Sequence, residues 1–122
     1  MKVSRDQPGV GPIVSGFGSG GFRVGDDRHR AMLMTVMAAS AWSPPPLDAL
    51  SVEDLRPLID AVPEFILLGT GGKLRRPPIA LTRALDALDL GIEAMDSRAA
   101  ARAWGVLRGE GRRVAAALYP LD

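Results

Sequence analysis

FILL at residues 65–68, followed at once by GTGG at residues 69–72, is the stretch that decides the fold. Four consecutive apolar residues predict a strand that is covered on both faces, as the strands of parallel sheets are. The glycines that follow predict a tight loop at the carboxyl end of this strand. Helices are therefore expected to pack against the sheet to which the strand belongs.

Around this strand, three segments carry apolar residues at the spacing of one helix face. The first begins at a capping box of Ser51 and Asp54, and Pro57 either lies in its first turn or splits it into two short helices. The second opens after the prolines at 77–78 and stops at Gly91. The predicted buried faces are, in order, Leu55, Leu58, Ile59 and Val62; Leu81, Ala84, Leu85 and Leu88; and Ala100, Ala103, Trp104 and Leu107.

Short apolar or alternating runs predict strands in the rest of the chain. They cover residues 12–17, 22–24, 31–37, 92–95 and 114–118. The first three predict a hairpin or meander, which the prolines at 44–46 close because consecutive prolines cannot join a central ladder. The order predicts one α/β domain over residues 12–122, with a mixed β-sheet and an N-terminal β-hairpin followed by α-β-α-β-α-β. Residues 1–11 are predicted to be a flexible tail.

The composition of the 122-residue chain excludes several classes of function. A net charge of +1 argues against a dedicated nucleic-acid binder, which carries a clear basic excess. With no cysteine there is no disulfide, thiolate metal site or cysteine nucleophile, and one histidine excludes a multi-histidine zinc site. The N-terminus lacks the apolar core of a signal peptide, and no stretch suits a bilayer span, so we expect a cytoplasmic protein.

GFGSGG at residues 16–21 contains the letters of a dinucleotide-binding motif without its context. That motif needs its glycines to open a helix, whereas the alternating residues 22–24 predict a strand. We therefore interpret the glycines as a hairpin or bulge and expect no cofactor there.

The loop after the central strand is the main candidate for binding. It lacks the P-loop spacing, but it lies at the edge where open α/β sheets bind ligands. Consecutive backbone amides and three cations predict a site for an anion. These residues are Gly69, Thr70, Gly71, Gly72, Lys73, Arg75 and Arg76. The alternative is a loop that needs glycine dihedral angles and exposes solvated charges.

Asp96 and Ser97 follow the next predicted strand, at the start of a helix. Asp96 could accept a proton, and Ser97 could act through its hydroxyl group. A nucleophilic serine needs a base, however, and the only histidine, His29, is predicted in an exposed turn. Helix capping explains both residues without a catalytic role.

Arginines are frequent in the last helix and after it. Arg98 and Arg102 are four residues apart and share a helix face, and Arg108, Arg112 and Arg113 follow. They predict either a solvated face or a basic patch for an acidic partner.

Four stretches carry a family resemblance: PEFILLGTG at 63–71, GIEAMDS at 91–97, AAAR at 99–102 and LRGEGRRVAAAL at 107–118. In this order and spacing, the chain resembles a family of small α/β domains of unknown function that includes the mitochondrial assembly factor 3 of respiratory complex I. The resemblance implies a three-layer fold with a mixed sheet and no established catalytic activity, cofactor or metal. It also implies that the protein binds other proteins.

The leading hypothesis is a non-catalytic protein-interaction domain, an assembly factor for a respiratory or other membrane complex. Its expected surface combines the loop at 69–76 with Arg98 and Arg102. The alternative is a protein or enzyme that binds a small anion or metabolite at the loop 69–72, with Asp96 or Ser97 at the rim of the cavity. Neither nucleic acid nor membrane insertion is expected, and a homo-oligomer stays open.

Overall fold

The structure, a computed structural model, describes residues 11–18 and 20–122. Residues 1–10 of the predicted tail and Ser19 of the glycine motif lie outside the described residues. A small antiparallel sheet comes first and consists of β1 (Val14–Gly18), β2 (Gly21–Val24) and β3 (Asp27–His29). The strands β1 and β2 form the predicted hairpin. The expectation for His29 was wrong, since it lies half-buried in β3 and not in an exposed turn.

The main sheet has five strands in the order β5-β4-β8-β6-β7. They are β4 (Met32–Met34), β5 (Ala39–Ala41), β6 (Phe65–Gly69), β7 (Gly91–Met95) and β8 (Ala115–Leu118). As its apolar sequence predicts, β6 lies inside the sheet and is parallel to both of its neighbours, β7 and β8. An antiparallel hairpin of β4 and β5 completes the sheet by pairing β4 with β8. The predicted mixed α/β fold is confirmed, with β3 and β5 as additional short strands.

Three α-helices follow the N-terminal strands: α1 (Arg56–Asp60), α2 (Ile79–Asp86) and α3 (Ser97–Gly109). The first predicted helix is divided into a 3₁₀ helix, Val52–Leu55, and α1, with Pro57 in the first turn of α1. In the predicted capping box, the Ser51 amide donates to the Asp54 carboxylate at 2.9 Å. None of the helices in the described part of the chain is long and apolar enough to cross a membrane.

Two predicted core positions lie outside the core. Val62 follows α1 with a φ of 52°, and its side chain is exposed. Leu88 is half exposed because α2 ends at Asp86, and Leu90 supplies the buried side chain in its place. Both errors have one physical cause: the 3.6-residue period no longer describes the chain beyond the end of a helix.

The main sheet is covered on both faces, which gives three layers. On one face, Ile66 and Leu68 join a leucine-rich cluster with α1 and α2. On the other face, Leu67 packs with Trp104 of α3 and with the small sheet. Trp104 is fully buried, as predicted, and its Nε1 donates to the Pro12 carbonyl at 2.9 Å. The alternation of β6 side chains between two cores explains why this strand is apolar throughout.

Candidate functional site

The parallel strands of the main sheet end together at one edge. Gly69, the last residue of β6, pairs with Met95 at the end of β7 and with Leu118 at the end of β8. The glycine loop, the start of α3 and the C-terminal residues 119–122 therefore meet at this edge. The sequence placed the loop and the Asp96-Ser97 pair at carboxyl ends of strands, and the register brings them together.

Ser97 connects the three segments that meet at the edge. Its hydroxyl oxygen accepts a hydrogen bond from the Gly71 amide and donates one to the Tyr119 carbonyl, each at 2.8 Å. The Ser97 amide also donates to the Gly71 carbonyl at 2.8 Å. The residue is completely buried. Ser97 therefore holds the loop to the C-terminal segment and does not lie at the rim of a cavity.

Thr70 closes the loop on itself. Its amide donates to the Met95 carbonyl at 2.8 Å. Its hydroxyl group lies 2.7 Å from the Lys73 carbonyl, to which it donates, and accepts from the Arg75 amide at 3.0 Å. The amides of Thr70 and Gly71 are thus engaged within the protein and are not available to an anion at this loop.

Asp96 caps α3. Its carboxylate accepts a hydrogen bond from the Ala99 amide at 2.9 Å, as expected for a residue directly before a helix. Over residues 11–18 and 20–122, no three His, Cys, Asp or Glu side chains come together as a group that could hold a metal ion.

A cavity of about 440 Å³ lies beside the loop. Lys73 and Arg75 line it together with Tyr119 and Asp122. The Tyr119 hydroxyl group donates to the Pro45 carbonyl at 2.8 Å. Burial raises the pKa of Tyr119 to about 12, so this phenol is neutral at physiological pH and is no general base there.

The remaining predicted arginines lie apart from the loop cavity. Arg76 lines a different cavity, at the start of α2. Arg98 lies in a neighbouring cavity of about 430 Å³, and Asp122 lines both this cavity and the one beside the loop. The guanidinium carbons of Arg98 and Arg102 lie 5.8 and 5.5 Å from the ring centre of Phe17. These two arginines therefore face the small sheet, where cation–π contacts stabilise them.

Arg108, Arg112 and Arg113 do not lie together on one surface, so they form neither a single solvated face nor a single basic patch. Arg108 is completely buried, and its guanidinium donates to the Arg112 carbonyl at 2.7 Å. Arg112 forms an ion pair with Glu64 at 2.7 Å, and this hydrogen-bonded carboxylate raises the pKa of Arg112. The charges at the end of α3 therefore hold the chain that leads to β8.

Sequence reasoning missed an apolar groove between α3 and the edge strand β7. Its volume is about 520 Å³. The residues that line it are Phe65, Leu67, Glu93, Met95, Ala103, Val106 and Leu107. Their side chains come from two strands and one helix, and the position of α3 over the sheet leaves the gap. The only signal in the sequence was Val106, an apolar residue outside the predicted buried face of α3.

Comparison with known proteins identifies similar chains. The model of a family described as "Protein of unknown function (DUF498/DUF598)" matches residues 14–119. An uncharacterized protein of Rhodobacter capsulatus is 38% identical over 109 residues, which is 88% of this chain and 84% of the relative.

Solved structures show the same fold. The crystal structure of a Bordetella parapertussis protein is 32% identical, with a TM-score of 0.79, and the match covers 93% of this chain and 99% of that one. The solution structure of a Bordetella pertussis protein, described as a Mth938-like domain, is 26% identical with a TM-score of 0.77. That match covers 100% of this chain and 94% of the other.

Proposed function

We propose that this chain, which belongs to the DUF498/DUF598 family of proteins of unknown function, is a non-catalytic protein-interaction domain. Its resemblance to the mitochondrial assembly factor 3 of respiratory complex I extends the proposal to a cytoplasmic assembly factor for a respiratory or other membrane complex. The observation that carries the proposal is the apolar groove beside β7.

The groove lies next to a sheet edge. Among the described strands, β7 pairs only with β6, so its other side presents backbone donors and acceptors. An exposed edge of this kind is a template for a further strand. Val106, on the α3 side of the groove, is 62% exposed. Covering an apolar side chain at such a position with a partner removes apolar surface from water and therefore favours binding.

The partner that fits is an extended segment of another protein. Added to β7, it would form main-chain hydrogen bonds and insert alternate apolar side chains into the groove. Glu93 lines the same groove, and no described residue forms an ion pair with it. A lysine or arginine of the partner opposite Glu93 would satisfy this charge, so the segment is expected to combine apolar residues with one basic residue.

The test is capture of partners from the native cell with the wild-type chain and with Val106→Glu, followed by affinity measurement with each purified partner. Ile79→Glu is the matched control, because Ile79 is a helical residue of similar exposure, 69%, outside the groove. We expect Val106→Glu and Glu93→Lys to weaken binding by about tenfold or more, or about 1.4 kcal/mol. Subunits of membrane complexes among the groove-dependent partners would support the assembly role.

Equal binding by the wild-type chain and both groove variants would refute the groove as the interaction surface. If all captured proteins were retained equally by Val106→Glu, the interaction function would have to reside elsewhere or be abandoned.

A second candidate, binding of a small anion or metabolite, is favoured by the cavity that Lys73 and Arg75 line. Thermal-shift measurements with phosphorylated and carboxylated metabolites test it. A shift that Lys73→Gln and Arg75→Gln abolish would support it, and the absence of any shift would contradict it.

A further inference from the structure

Neither a left-handed backbone nor a close neighbour requires glycine at Gly16 or Gly18 of β1, although the pairing of β1 with β2 is irregular between Val14 and Gly16. Among the described residues other than its chain neighbours, a Cβ atom added to Gly16 or Gly18 would meet no atom within 4 Å, and neither residue has a left-handed φ. Gly21 differs, because its φ is +100° and a Cβ there would collide with the His29 carbonyl. Glycine weakens a strand. Inside a strand it often marks a bulge, which fits Gly16 beside the irregular pairing, or a place where a ligand comes close to the chain, which is the interpretation that Gly18 leaves.

Two arginines face each other on the same sheet. In the register of the small sheet, Gly16 is opposite Arg23, and Arg23 is opposite Arg28. These three residues therefore share one face of the sheet, while Phe22, the next residue along β2, is buried on the other. Like charges directly opposite one another destabilise a sheet. In the part of the chain that the structure describes, neither arginine forms an ion pair.

These locally unfavourable choices line one cavity. Its volume is about 360 Å³, and it is bounded by Gly16, Phe17, Gly18, Gly21, Arg23 and Arg28. Positions that break local rules without helping the fold are expected at functional sites. Three of its lining residues are glycines and two are arginines, so the cavity combines space with positive charge for an anion.

We propose that this cavity, the glycine–arginine site, binds a phosphate monoester group. The dianion matches the two positive charges, and each planar guanidinium can form two parallel hydrogen bonds to phosphate oxygens. The phosphate can belong to a free metabolite or to the head group of phosphatidic acid in a membrane. The near-neutral chain, with a net charge of +1, does not offer the extended basic track that nucleic acid needs.

The experiment is an NMR titration of the full ¹⁵N-labelled chain with glycerol 3-phosphate, a free phosphate monoester. We expect saturable shifts at Gly16, Gly18 and the guanidinium groups of Arg23 and Arg28. Arg28→Gln should weaken binding at least about tenfold, and Gly16→Val should block it by filling the cavity. Arg83→Gln, an exposed arginine of α2 outside the site, is the matched control and should bind normally.

A second readout separates binding from a structural role. Because Arg23 and Arg28 repel each other, Arg28→Gln should leave the melting temperature of the free protein unchanged or raise it. A lower melting temperature together with unchanged binding would assign Arg28 to the fold and overturn the proposal.

Co-sedimentation with vesicles that contain phosphatidic acid, compared with vesicles of phosphatidylcholine alone, distinguishes the two sources of phosphate. Saturation by glycerol 3-phosphate without vesicle binding indicates a metabolite, and binding to phosphatidic acid that depends on Arg28 indicates the lipid. The proposal is overturned if neither ligand binds, if Arg28→Gln and Gly16→Val bind as the wild type does, or if an oligonucleotide binds more tightly with a steep salt dependence.

Discussion

Replacing Ser97 with alanine removes one hydroxyl group that serves two backbone partners. The Gly71 amide, which donates to it, and the Tyr119 carbonyl, which accepts from it, both lose a bond of 2.8 Å. A buried polar group left without a partner costs about 1–3 kcal/mol. Gly71 is buried, so its unpaired amide incurs the full cost. Tyr119 is only half-buried, so water can reach its carbonyl more easily and the cost there is smaller. We therefore expect Ser97→Ala to lower the free energy of unfolding by about 3 kcal/mol.

Guanidinium chloride unfolding of the wild type and Ser97→Ala measures this difference, and thermal melting should show a decrease of about 10 °C. Ser40→Ala is the control, because Ser40 is exposed on β5 and a surface substitution of this kind changes stability by about 0.5 kcal/mol or less. If Ser97→Ala and Ser40→Ala proved equally stable, the argument that Ser97 holds the sheet edge together would be refuted.

Two further predictions concern the same edge. Gly69→Ala should destabilise the protein by about 1–3 kcal/mol in denaturant unfolding, since the added Cβ would lie 2.7 Å from the Ser97 Oγ; an unchanged midpoint would contradict this. Burial raises the pKa of Tyr119 to about 12, whereas the pKa of the unfolded chain's tyrosine is 10.0. The phenol of the unfolded state therefore loses its proton first, and the free energy of unfolding should fall as the pH rises from 10 to 12. Denaturant unfolding below pH 10 and near pH 12 should show a smaller decrease in the free energy of unfolding for Tyr119→Phe than for the wild type. An identical pH dependence in both proteins would contradict this prediction.

Periodicity and composition predicted the elements whose own sequence carries a pattern. The run at 65–68 predicted the central strand, and the stripe that includes Ala100 and Trp104 predicted the buried face of α3. The short strands β3 and β5, three residues each, were missed because Asp27–His29 and Ala39–Ala41 show no apolar alternation. Their pairing depends on neighbouring strands and not on their own side chains.

The site was predictable only in part, because its geometry depends on strand register. The sequence placed the glycine loop and Asp96-Ser97 at carboxyl ends of strands, but the hydrogen bonds of Ser97 depend on Gly69 pairing with both Met95 and Leu118. Arg108 appeared as a surface charge, since no local pattern shows that the carbonyl of Arg112 receives its guanidinium. The apolar groove is a gap between elements, and a gap leaves no motif in the chain.

The edge strand β7 leads to a last prediction, on self-association. Two β7 strands that paired antiparallel about their midpoint would place Glu93 opposite Glu93, and like charges directly opposite each other destabilise a pair of strands. We therefore expect Glu93 to disfavour pairing of this edge with a second copy of the chain and to favour the proposed basic partner segment. Glu93→Val should promote a concentration-dependent dimer, which size-exclusion chromatography with light scattering detects, whereas Glu53→Val, an exposed glutamate distant from β7 in the sequence, should not. A wild-type chain that already dimerises through β7 would show that the charge does not protect the edge, and the groove would then have a second copy as its occupant.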